Sequence, residues 1–222
     1  MILMRIIMVL VVFIGFSFVA TVSMTRPTIS VEVSTTIEEL RNLATYIEAK
    51  SVLKVKKRIL DAVEALGTEK VAFLKEVNRL SKKLGVDPSL LLIKFYIESG
   101  IRPWKKNDDS GASGIFQLMP KNMPDGMTSR QFRALTATQQ LQHYEVYITP
   151  YIPYLKDKTG KIPIENLYIL NLYPAAIVEG KHVLFARPSL AYKQNKGLDR
   201  DFDGDVDRTD IRRVINSHLE KK

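Results

Sequence analysis

The feature that most constrains this chain is the run from Asp87 to Gly100, DPSLLLIKFYIESG, in which a carboxylate closes an almost wholly apolar stretch. Asp87 suits an N-cap and Pro88 a first helical position, because the amide hydrogen that proline lacks has no partner in a first turn anyway. Gly100 can take the left-handed conformation that ends a helix. Leu90 to Ile93 and Phe95 to Ile97 are apolar at nearly every position, which predicts a short helix inside the domain, with Glu98 on its last turn. The helix therefore delivers a charge to the rim of a core.

Burial and the negative end of the helix dipole both disfavour the Glu98 carboxylate, so its pKa is expected to rise. A carboxyl still protonated near neutral pH is what cleavage of a glycosidic bond requires of a general acid. The competing structural role is an ion pair with Lys94, one turn earlier.

Downstream, IESG is followed by Pro103, then Ser110, then GASGIFQLMP ending at Pro120. These linked motifs resemble the soluble lytic transglycosylase domain, a lysozyme-like fold related to goose-type lysozyme, and the pattern is most similar to the transglycosylases of phages and prophages. The resemblance covers about residues 71–215. It implies a mainly α, lysozyme-like helical domain in which Glu98 is the catalytic acid/base. It also implies that Ser110, Gln117 and Met119 line a sugar groove, joined by Tyr173 of the LYPAA turn, where Pro174 stands at the family's usual Asn.

After Arg5 the chain runs uncharged to Thr25, close to the ~20 residues that cross a bilayer as a helix. Residues 1–25 are therefore expected to be a transmembrane anchor or signal segment, and Arg5 favours a cytoplasmic N-terminus with the bulk exported. Residues 26–36, rich in Thr, Ser and Val, read as an extended linker. One long helix or two shorter ones are expected over 37–67, and residues 68–222 as the catalytic domain. Thr68 is a candidate cap for the next helix, which Val71, Leu74, Val77, Leu80 and Leu84 carry to Gly85. Phe132 to Tyr147 predicts a further helix with Thr136 or Thr138 as an internal cap, and residues 164–173 a last core helix. Tyr144, Tyr147, Tyr151 and Tyr154 are either core residues or platforms for sugar rings. No long period-two alternation is present.

Near the end, DRDFDGDVDRTD places Asp199, Asp201, Asp203, Asp205, Asp207 and Asp210 at positions one, three, five, seven, nine and twelve of a calcium loop, with Gly204 at six. Asp205 would offer its backbone carbonyl, and Asp210 replaces the usual Glu, as in dockerin-like loops, which the stretch also resembles. The expected ion is a structural Ca2+ clamping a helix over 210–219; no cofactor is expected for catalysis. A solvated acidic turn is the alternative.

His143, His182 and His218 lack zinc-like spacing, and no phosphate loop, dinucleotide fingerprint or Ser-His-Asp order appears. There is no cysteine. The net charge of +9 suits an anionic polymer, but no nucleic-acid-binding motif accompanies it, so nucleic acid is not an expected partner. The resemblance implies a lytic transglycosylase of the cell envelope that acts on peptidoglycan glycan strands and contacts the membrane through its first segment. The alternatives are a hydrolytic lysozyme using Asp108 or Asp109 as second carboxylate, and an inactive wall-binding protein of a virion or envelope complex.

Overall fold

The computed structural model describes residues 26–124 and 126–219, with the backbone alone for 26–36. The chain divides into two units, Met1–Ala44 and Thr45–Lys222. The first helix, α1, is Arg26–Ser51, so residues 26–36 are helical and not the extended linker predicted from their composition. Pro27 falls in the opening turn, where its missing N–H is no loss, and residues of low propensity can extend a helix once better formers have nucleated it. No described helix is long and apolar enough to cross a membrane, and the apolar segment over 6–25 lies outside the described residues.

The larger unit is mainly helical. Its elements after α1 are α2 (Lys57–Glu64), α3 (Lys70–Leu84), α4 (Pro88–Ser99), α5 (Ser129–Ala134), α6 (Ala137–Ile148), α7 (Ile152–Leu155), α8 (Ile164–Leu172), α9 (Pro174–Val178), β1 (Val183–Ala186), α10 (Leu190–Asn195), β2 (Asp205–Asp207) and α11 (Arg208–Asn216). The pattern over 37–67 thus resolves into two helices, broken between Ser51 and Lys57.

α4 is the axis of the core. Leu91, Leu92, Ile93 and Phe95 are fully buried, and α2, α3, α8 and α11 pack around it, contributing Ile59 and Val63, Phe73 and Leu80, Leu167 and Leu170, and Ile211 and Ile215 to the same core. Its ends are as expected: the Asp87 carboxylate accepts from Ser89 N at 2.7 Å, and Gly100 adopts φ +67°.

Thr68 does not cap α3. Gly67–Glu69 forms a turn of 3-10 helix that runs straight into Lys70, leaving no extended residue from which a side chain could cap. The expected helix over 132–147 is two helices, because Thr128 and Thr136 each form a reciprocal capping box, with Gln131 and Gln139, and Leu135 is extended between them. β1 pairs antiparallel with β2 across the intervening α10, and both strands are too short to show alternation. α11 begins two residues before the predicted helix and ends earlier, at Asn216.

Candidate active site

Glu98 reaches the surface of the core on the last turn of α4, its side chain 14% exposed. Burial raises its pKa above the usual carboxylate range, against the opposing pull of the Lys94 ammonium. Lys94 is itself fully buried, its Nζ 3.7 Å from Glu98 Oε1, so the two form an ion pair and not a hydrogen bond. The same Nζ lies 5.2 Å from the ring centroid of Phe95 and 4.7 Å from that of Tyr144. Burial lowers the Lys94 pKa to about 8.

The chain that follows α4 is held against its end. Ser99 Oγ donates to Ile115 O at 3.0 Å, joining the helix to the small-residue turn of GASGIFQLMP. Within that turn Gly114 has φ +80°, and a Cβ there would collide with Gln140 Oε1 and the Phe132 ring. Only glycine fits, because the backbone must pass directly over a buried amide. Gln140, fully buried, accepts from Ile115 N at 2.8 Å, while its Nε2 reaches Pro103 O, Phe132 O and Leu135 O at 3.0, 2.9 and 3.3 Å. One side chain thus ties the loop after Glu98, the turn and α5 together. Trp104, next to Pro103, is 61% exposed.

These elements border a cleft of about 570 Å³ with Glu98 in its wall. The loop contributes Asn107, Asp109, Ser110 and Ala112, the turn Gln117 and Met119, α8 Tyr168, Asn171 and Leu172, and α10 Gln194 and Asn195. Gln117 has φ +50°, a left-handed conformation uncommon outside glycine, and its Nε2 donates to Gly114 O at 2.9 Å. Asn171 Nδ2 donates to Phe116 O, and its Oδ1 is buried without a hydrogen-bond partner. Five neutral amides and the hydroxyl-bearing Ser110 and Tyr168 make up most of the polar lining, with Glu98 and Asp109 as its carboxyl groups. Such a surface suits an uncharged ligand rich in hydroxyl and amide groups.

Ser110, Gln117 and Met119 border the same cleft as Glu98. Tyr173 is not part of the lining: it stacks on Phe185 with centroids 5.7 Å apart and accepts from Lys181 Nζ at 3.2 Å. Asp109 borders the cleft, whereas Asp108 is 91% exposed and pairs with Lys106 at 3.2 Å. Tyr144 is fully buried and Tyr154 exposed. Asn107, Tyr168, Asn171, Gln194 and Asn195 line the cleft without being expected there from the sequence. Asn171 stands two positions before Tyr173, inside the stretch already singled out; nothing local marks Gln194 or Asn195.

In the acidic loop, Asp199, Asp201 and Asp203 each offer a carboxylate oxygen, all within 4.8 Å of one another, and could hold a metal ion. Asp199 is buried and accepts from Phe202 N at 2.7 Å, Gly204 N at 3.2 Å and Tyr192 Oη at 2.7 Å. Asp207 and Asp210 do not join that trio. They form a capping box at the start of α11, Asp207 accepting from Asp210 N at 2.9 Å and Asp210 from Asp207 N at 3.1 Å. Asp205 lies in β2, opposite Ala186. A comparison of the chain with known protein families, with curated proteins and with solved structures found no match in any of the three.

Proposed function

We propose that this chain is a peptidoglycan lytic transglycosylase of the lysozyme-like type, cutting the β-1,4 bond between N-acetylmuramic acid and N-acetylglucosamine. The observation that carries the reading is Glu98: a largely buried carboxyl, biased toward its protonated form by burial, bordering an amide-rich cleft together with Ser110, Gln117 and Met119. Glu98 protonates the glycosidic oxygen as the bond to the anomeric carbon breaks. As carboxylate it then takes the proton of the muramoyl 6-hydroxyl, whose oxygen closes on the anomeric carbon, with the substrate acetamido group assisting. The product is a 1,6-anhydro ring, and one carboxyl group serves both steps.

Asp109 supports a second reading, because it borders the same cleft and could hold a water for hydrolysis. The acidic loop is proposed to bind a structural Ca2+ through Asp199, Asp201 and Asp203, where the hard oxygen donors suit that ion. The apolar first segment supports an exported, membrane-attached protein of the cell envelope.

The test is mass spectrometry of the soluble products released from purified peptidoglycan by the chain and by Glu98→Gln. Anhydromuramyl ends that vanish in the variant are expected. Reducing ends would move the reading to a lysozyme using Asp109, and binding without release by either form would move it to an inactive wall-binding protein.

A further inference from the structure

Lys94 has no side-chain exposure, and its Nζ has no hydrogen-bond partner. Lysine is almost never buried this completely unless it is paired, since an ammonium is strongly disfavoured out of water. For packing alone, a methionine or leucine between Phe95 and Tyr144 would be cheaper. What the lysine adds is a positive charge 3.7 Å behind Glu98 Oε1, shielded from water and absent from the cleft lining.

The other titratable groups around Glu98 do not supply a positive charge. Tyr144 and Tyr147 from α6 and Tyr168 from α8 all have their pKa values raised by burial first, with the nearby Glu98 carboxylate adding to it, so they stay neutral. Asp109 borders the cleft and is exposed. Lys94 is therefore the cation paired with Glu98 among the described residues.

We propose that Lys94 is a positioning residue for Glu98, its buried ammonium serving as the fixed counter-charge for the carboxylate left when Glu98 gives up its proton. Without that charge, the largely buried carboxyl would hold its proton too firmly to donate it. With it, the carboxylate persists long enough to act as base and recover a proton from substrate. The proton moves only between Glu98 and substrate, and Lys94 stays protonated throughout. Its catalytic meaning rests on the reading of Glu98 as acid/base, but the charge coupling does not.

The experiment follows the side-chain carboxyl carbon of Glu98 by NMR across pH, in the full chain held in detergent micelles, with Glu98→Gln identifying the signal. Lys94→Met should move the Glu98 midpoint upward by about one to three pH units, the usual effect of removing an opposite charge within a few ångströms. An unchanged midpoint would overturn the proposal. If Lys94→Met does not fold, the reciprocal measurement serves: the Lys94 midpoint, read at Nζ, should fall in Glu98→Gln, and no fall would overturn the coupling equally. Where peptidoglycan is cleaved, the alkaline limb of the pH profile of kcat/KM should shift upward in Lys94→Met, which a purely structural role would not produce. Absence of any cleavage would remove the transglycosylase reading and leave the titrations to decide the coupling.

Discussion

Replacing Gln140 with methionine should be among the more damaging single changes that leave Glu98 untouched. The Gln140 amide makes contacts to Ile115 N, Pro103 O, Phe132 O and Leu135 O, but Nε2 has only two hydrogens for three carbonyls. Phe132 O also accepts from Leu135 N at 3.2 Å, so it keeps a partner after the change. The buried Ile115 amide does not, and an orphaned donor of that kind costs ~1–3 kcal/mol. Losing the bond to Pro103 O adds ~1 kcal/mol. Methionine fills nearly the same volume, so no large cavity term enters. The sum is ~2–4 kcal/mol, which for a chain of this length is a fall in Tm of about 4–16 °C. Urea denaturation of the variant beside the unmodified chain measures it directly. A change within ~0.5 kcal/mol, the span of ordinary surface substitutions, would refute the view that this side chain holds the loop, the turn and α5 together.

Acid should act on a different part of the molecule. Glu64 accepts from Lys70 Nζ at 2.7 Å and Lys50 Nζ at 2.9 Å as well as from Tyr46, and Lys70 leads in holding its pKa at about 2 against the ordinary 4.5. A lowered folded value means that its contribution is complete above about 4.5 and is lost as the pH falls toward 2. Glu64→Gln should therefore melt lower than the unmodified chain at neutral pH, the difference closing over that window; a difference independent of pH would speak against the cluster. For the acidic loop, Ca2+ at one hundred times its dissociation constant should stabilise the fold by about 2.7 kcal/mol. Asp201→Asn with Asp203→Asn should abolish the response, and a Tm indifferent to Ca2+ and to chelator would rule the ion out.

The ends of α4 were legible because each is set by one residue acting locally: Asp87 bonds its own first turn, and Gly100 supplies the positive φ. The burial of Glu98 followed from the apolar run before it. Thr68 and the split at Leu135 show where local signals compete. Several threonines could cap, and only those whose own backbone is extended, Thr128 and Thr136, do so, whereas Thr68 lies within a 3-10 turn. Glu69, in the same turn as Thr68, accepts from Thr138 N at 2.6 Å, a bond across 69 positions that the sequence does not announce. The cleft was half legible. Ser110, Gln117 and Met119 come from a segment adjacent to Glu98 in sequence, whereas Asn171, Gln194 and Asn195 reach it from α8 and α10, and only the folded chain brings those helices round. Lys94 looked like an ordinary helical ion pair, since i,i+4 spacing is the same at a surface and in a core; its lack of any exposure is a tertiary fact.

Trp104 is the single tryptophan of the chain. It projects from the loop between Pro103, pinned by Gln140, and Asn107, which borders the cleft. Indole emission from this protein therefore originates at one address, and its colour and quenching register the state of that loop without a contribution from the rest of the fold. A solution of the unlabelled protein thus carries an optical gauge beside its cleft, one that responds when the loop bearing Trp104 loosens.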